Sequence, residues 1–405
     1  MRRSSSIFPL AWTGWLVALM IASSASADHY TTLKVSGDGR ALGETPIVIE
    51  SEWGPKSGNY VLAGTNPSTV LRANVFRDGS KTYLAAVLAS VPAQGQLTFT
   101  LPAEPLPEAR GSGVELTPNG KRIEVRIDRK LVTEYIPDDG PKPYFFPIIG
   151  PSGAMMTRSY PMKKVDGETT DHPHHRSLWF THGSVNKVDF WSETRGHGRI
   201  VETSRPTVES GLAMGLIRTT DDWLAPDGKK VCEDERAVRI FATKTERVFD
   251  FDITLKATEG PVTFGDTKEG MFGARVVTSM DVTSKHGGRI VNAEGIEDKP
   301  AWGKPSPWVD YTGPVDGKTV GIAIFNHPSS FRYPTTWHVR DYGLFAANPF
   351  GWHDFGQKTT GDFVLPKGQT IRFSYRVILH DGDTASAGLP AQFQGYAEPP
   401  KVVIE

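Results

Sequence analysis

Apolar and polar residues alternate strictly along several stretches of this 405-residue chain. Phe249, Phe251, Ile253 and Leu255 alternate with Asp250, Asp252, Thr254 and Lys256, which predicts a strand with one buried and one wetted face. Ile123, Val125 and Ile127 alternate with Glu124, Arg126 and Asp128. Arg129-Lys130 then separates that run from Leu131–Tyr135, a hairpin signature. Ile371, Phe373, Tyr375 and Val377 alternate with Arg372, Ser374 and Arg376. Val320, Ile322 and Ile324 mark a more apolar, deeply buried strand. Helical periodicity is scarce, and 41 glycines and 30 prolines punctuate the chain, as many turns between short strands require. The predicted class is all-β, with two large antiparallel sheets packed face to face behind a small N-terminal β domain.

Chain organisation refines this picture. Arg2 and Arg3 precede an apolar run from Ile7 to Ala22, and Ala25-Ser26-Ala27 supplies the small-x-small pattern of a cleavage site. Residues 1–27 therefore read as a signal peptide, and the protein as exported, periplasmic or extracellular; a retained anchor is the other reading. No later stretch reads as a membrane span. Pro102, Pro105, Pro107, Gly111 and Gly113 crowd a stretch without periodicity. The expected domains are thus 28–110, β-sandwich-like, and 111–400, carrying the site. Lys and Arg total 45 against 46 Asp and Glu. Without a basic tract, nucleic acid is an unexpected partner. The single cysteine, Cys232, forms no intrachain disulfide, and the carboxylates after it disfavour a nucleophilic thiolate.

The candidate chemistry concentrates in two distant stretches. His172, His174, His175 and His182 place four of eleven histidines within eleven residues, among Arg176, Trp179, Asp189 and Trp191. His327, Trp337, His338, Arg340, Asp341, Asn348 and His353 form the second stretch. The two are expected to meet in one polar, aromatic-walled pocket. On an extended segment His172 and His174 project to one side, as ligands of one divalent metal would; hydrogen-bonded, metal-free histidines are the alternative. His175 and His338 are suited to proton transfer near neutral pH. In Gly265–Gly270, Glu269 is a candidate base or nucleophile beside Lys268, with Arg275 following. If that segment is a regular strand, Asp266 and Lys268 share one face and Glu269 the other. Flat rings such as Trp179, Trp191 and Trp337 suit the C–H face of a sugar, with Arg176, His182, Asp189, Lys268, Arg275, Arg340 and Asn348 as partners for its polar groups. Elbow-type serine, phosphate-loop and dinucleotide motifs are lacking.

Several of these segments also carry a family resemblance. Pro147–Pro151, Asp171–Trp179, Val188–Trp191, Asp266–Gly270 and Arg340–Gly343 resemble a PmoA-like family of secreted bacterial proteins labelled "methane oxygenase". The subunit named in that label is a polytopic membrane protein, whereas this chain shows no span beyond its leader. At the level of fold the resemblance implies a β-supersandwich of the galactose-mutarotase, or aldose 1-epimerase, type. There a His and a Glu serve as acid and base, parts that His175 and Glu269 would take. The leading expectation is a carbohydrate-active hydrolase, lyase or epimerase. The rivals are a non-catalytic glycan-binding protein and a His-ligated metalloenzyme.

Overall fold

The computed structural model describes residues 31–51, 54–65, 69–107 and 112–405. The predicted leader, 1–27, and the predicted domain junction at 110/111 lie outside the described residues. The chain is all-β, with one short α-helix at Leu389–Ala397. No helix among the described residues is long and apolar enough to cross a membrane.

Three sheets stack in layers. The first has seven strands, six from residues 31–101 and a seventh, Lys401–Ile404, that returns from the C-terminus to pair with Thr31–Ser36. The second has nine strands, including Lys230–Phe241, Arg247–Lys256, Lys318–Asn326 and Thr370–Asp381. The third has eight and carries the candidate site.

The alternating residues explain this layering. Phe249, Phe251, Ile253 and Leu255 face the main core between the eight- and nine-stranded sheets, joined there by Ile371, Phe373, Tyr375 and Val377. Burial of such faces supplies most of the stabilisation, roughly 25 cal/mol per Å² of apolar surface. On the other face of the nine-stranded sheet, Met214, Leu216, Phe241 and Phe325 pack against Phe76 and Ala85 of the first sheet and Leu389 of the helix. Asn74 fastens the two layers, its side-chain carbonyl accepting from the backbone N–H of Met214 at 2.9 Å and Ala213 at 3.2 Å.

The predicted hairpin forms, but with its turn one residue earlier. Ile127 pairs with Lys130, so Asp128 and Arg129 make the turn. Their φ values of 46° and 68° are those of a type I′ turn, whose twist suits a two-residue hairpin.

Candidate functional site

The site is built on the outer face of the eight-stranded sheet. Cross-strand register aligns His338 with Ala346, Ala346 with Gly273, Gly273 with Trp179, and Trp179 with Tyr144. Residues opposite one another share a face, so these five form one row. Leu178, Phe180, Phe272, Ala274, Phe345 and Ala347 point the other way, into the main core. Glycine is needed within the row, because a Cβ at Gly273 would lie 2.9 Å from the Trp179 indole. The indole therefore lies against the sheet.

From that base a column of parallel rings rises toward solvent. Trp179 stacks on buried His175 at 5.4 Å, His175 on exposed His172 at 4.8 Å, and His172 on Tyr342 at 5.1 Å, with interplanar angles of 17°, 6° and 5°. His174 meets His175 edge-on at 4.5 Å, and Trp191 packs against Trp179 at 5.3 Å. The two histidine-bearing stretches thus meet at the His172–Tyr342 pair. The column requires a sharp bend: the His175 N–H reaches back to the His172 carbonyl at 3.0 Å, and His172 and Ser177 adopt φ of 43° and 57°. Left-handed conformations of such residues are costly and cluster at functional sites.

This bend overturns the extended geometry expected for metal ligation by His172 and His174. Their rings sit 5.7 Å apart at 77°, and the His172 Nδ1 is occupied by Asp171 at 2.8 Å. Among the described residues, no group of three His, Cys, Asp or Glu side chains is placed to hold a metal ion.

Asp171 organises the column. Its carboxylate accepts from Arg275 at 2.8 Å, from buried Arg158, and from His172. Burial opposes its charge, but the Arg275 guanidinium and the hydrogen bonds from His172, Arg275 and Arg158 outweigh it and hold the carboxyl at about 2. With Nδ1 donating to Asp171, the His172 Nε2 is left out of that contact, the arrangement in which a carboxylate orients an imidazole base. His175 is different. Burial, then the His174 and Arg275 charges, push its pKa well below the usual value, and its Nδ1 accepts from Arg275 at 3.1 Å. It is a neutral, buried ring that supports His172. His174 falls to about 4, through burial and then the Lys142 charge.

Behind the column, Arg176 grips Glu193 with two hydrogen bonds of 2.7 Å. Fully buried Lys142 reaches the same carboxylate at 3.1 Å, and burial lowers its pKa to about 8. Arg176 and Arg275 are therefore framework cations rather than the substrate contacts expected of them.

His338, Lys268, Glu269 and Arg340 gather beside the column, within electrostatic reach of His172 or Tyr342. Burial and then the Arg340 charge press His338 down to about 3, which makes it a neutral, 2% exposed ring and a poor general acid. Lys268 and Glu269 form an ion pair of 2.9 Å on a loop, not a strand, so the two-face expectation does not apply. Asp266 anchors that loop by accepting from the N–H groups of Gly361 at 2.6 Å and His353 at 3.0 Å. The Tyr342 hydroxyl lies in the field of Arg340, Arg275, Glu269 and Asp171.

Other expected site residues serve the framework. His182 points into the sandwich, hydrogen-bonded to the Gly265 carbonyl at 2.8 Å and packed on Phe350. Trp337 is in the main core, its indole donating to the Ser306 carbonyl at 2.9 Å. Asn348 ties the Thr267 carbonyl to the Phe350 N–H, each at 2.9 Å. Asp189 caps a turn by accepting from Trp191 N–H at 2.8 Å. His327 lies against Tyr396, beside the seven-stranded sheet. The residues missed from sequence are Asp171, Tyr342, Arg158, Lys142 and Glu193. Asp171 and Tyr342 each adjoin a chosen residue, and adjacency was the available signal; Lys142 and Glu193 carried none.

Comparison with known proteins adds the following. The model of a family of unknown function, DUF6807, matches residues 122–394. No curated protein matches the chain. Among solved structures, the chain is similar to a protein in the glycosyl hydrolase family 38 from Enterococcus faecalis, with TM-score 0.39, 10% identity, and coverage of 93% of this chain and 47% of that one. It is also similar to an alpha-mannosidase from Enterococcus faecalis V583, with TM-score 0.38, 10% identity, and coverage of 93% and 46%. The chain spans about half the length of either.

Proposed function

We propose that this chain, which belongs to the DUF6807 family of unknown function, is a carbohydrate-active enzyme that uses His172 as a general base, a lyase or epimerase rather than a two-carboxylate hydrolase. The observation that carries this reading is the Asp171–His172 hydrogen bond of 2.8 Å, made by a ring that is 41% exposed and held in an aromatic column. A base must be oriented, accessible and within reach of the proton it takes. The polar edges of His172 and Tyr342, with the charges of Arg340 and Glu269 in reach, suit the hydroxylated rim of a sugar.

Glycoside hydrolysis by the usual route requires one protonated carboxyl and one carboxylate flanking the bond. Asp171 is committed to two arginines and His172, and Glu269 is paired with Lys268. Proton abstraction by imidazole fits these residues better. Export, expected from residues 1–27, suits a glycan substrate met outside the cytoplasm.

The test is incubation with a panel of sugars in deuterated water, followed by NMR. The wild type should incorporate deuterium at a sugar carbon or form product, and His172→Gln should lose that activity while its thermal midpoint holds. Unchanged exchange in His172→Gln would overturn the role of His172. Sugar binding by the wild type without exchange or product would make the protein a glycan-binding module instead.

A further inference from the structure

Beside the column lies a hollow of about 400 Å³, lined by Thr283, Lys299, Trp302, Arg340, Asp341 and Tyr342. It adjoins the candidate base through a shared wall. The Tyr342 ring is 5.1 Å from the His172 ring and 5.6 Å from the Arg340 guanidinium carbon. Tyr342, which also carries the Arg275 guanidinium carbon 4.9 Å from its ring, is thus the partition shared by the column and the hollow.

The cations around this wall are not equivalent. Arg158 and Arg275 share Asp171, Arg176 holds Glu193, and Lys268 holds Glu269. Among the described residues, Arg340 and Lys299 make no such pair. The Arg340 guanidinium lies 5.6 Å from the Trp302 ring as well as from Tyr342, so two aromatic side chains steady its fork without satisfying its N–H groups. Trp302 and Asp341 line the hollow, and the Trp302 indole Nε1 and the Asp341 Oδ1 are covered by protein without a hydrogen-bond partner. Buried polar groups are nearly always satisfied. A carboxylate acceptor, an unpaired arginine and a lysine in one hollow are together the complement of an acidic, hydroxylated ligand.

We propose that this hollow is a carboxylate subsite and that the substrate sugar is a uronate whose carboxylate seats on Arg340. The planar fork of arginine matches a carboxylate with two parallel hydrogen bonds. Asp341, the carboxylate among the lining residues, accepts from a hydroxyl. Lys299 at the rim adds positive charge that offsets Asp341.

This inference rests on the proposed role of His172 and explains what that base attacks. A sugar C5–H beside a carboxylate is acidic once the carboxylate charge is matched by a cation. His172 Nε2 takes the C5 proton, and the C–H electron pair moves toward the carboxyl group as an enolate facing Arg340. Delivery of a proton from water to the opposite face of C5, with His172 releasing its proton to the resulting hydroxide, completes an epimerisation. Collapse of the electron pair into a C4–C5 double bond breaks the C4–O bond, and the leaving oxygen takes the proton held by His172 and departs as a neutral alcohol, which completes an elimination and returns His172 to its starting state.

The experiment is calorimetric titration with an oligogalacturonate, an oligoglucuronate, a neutral hexose oligomer of the same length, and a sulfated hexose oligomer. Wild type, Arg340→Gln and Arg340→Lys are compared, with C5 deuterium exchange followed in parallel. A uronate should bind best, Arg340→Gln should weaken it about 10- to 100-fold, as loss of a charge-assisted contact does, and Arg340→Lys should recover only part of that. Equal affinity for the neutral oligomer, preference for the sulfated one, or unchanged uronate affinity in Arg340→Gln would each overturn the subsite. Turnover of a neutral sugar through His172 would sink the subsite and leave the catalytic reading standing. Uronate binding that depends on Arg340 without any exchange would uphold the subsite and remove the catalytic reading.

Discussion

Replacing Asp171 by Asn keeps its shape and removes the charge that joins Arg158, Arg275 and His172. The fall of its carboxyl from the usual 3.8 to about 2 corresponds to about 2.4 kcal/mol for a group shielded from water. The side chain is 42% exposed, so solvent screening brings the contribution nearer ~1 kcal/mol. The folded value lies below the usual one. The contribution is therefore complete above about pH 4 and disappears as the pH falls through about 2. Urea unfolding of wild type and Asp171→Asn at pH 7 and near pH 2 measures it. The wild type should be the more stable at pH 7 by ~1 kcal/mol or more, because the variant also leaves two almost fully buried guanidinium groups without a carboxylate. The gap should narrow at the acid end. A gap that is independent of pH, or a variant as stable as wild type at pH 7, would refute the assignment of Asp171 as the charge that holds the column together.

Gly273→Val should displace the Trp179 indole, cost ~1–3 kcal/mol by overpacking and lower sugar affinity, which thermal melts and calorimetry would read; normal affinity would contradict the column's dependence on its base. Lys142→Met should change stability by less than ~1 kcal/mol or raise it by up to ~2 kcal/mol at pH 7, because Glu193 keeps both Arg176 hydrogen bonds and a costly buried ammonium is removed. A loss above ~3 kcal/mol in urea would show that the Lys142–Glu193 pair is a net stabiliser. Cys232 is fully buried, and burial and then Asp234 push its thiol pKa up, so a thiol reagent should label it only after unfolding; rapid labelling of the native protein would contradict its place in the core.

The alternation of Phe249 to Leu255 and of Ile371 to Val377 determined strands and buried faces from sequence alone, because a strand's period of two depends only on the backbone pleat. The hairpin near residue 128 was legible for the same reason. Its turn was misplaced by one residue, since neither Asp128 nor Arg129 is the glycine that usually announces left-handed turn residues. The density of histidines singled out one stretch; of the second stretch, His338, Arg340 and Tyr342 come near it, while His327, Trp337 and Asn348 do not.

What each side chain does there was decided by tertiary structure. A left-handed φ at His172 breaks the period of two, so His172, His174 and His175 form a cluster of rings instead of alternating. Strand parity sends His182 and Trp337 into the core and leaves Trp179 and His338 outside. Ion pairs between distant segments, Arg176 with Glu193 and Arg275 with Asp171, convert expected substrate contacts into framework, while Arg340 keeps its fork free. Local periodicity reports which face a residue occupies. Whether a charge on that face is already neutralised depends on partners elsewhere in the chain, 17 residues away for Arg176 and 104 for Arg275, and only the folded chain brings them together.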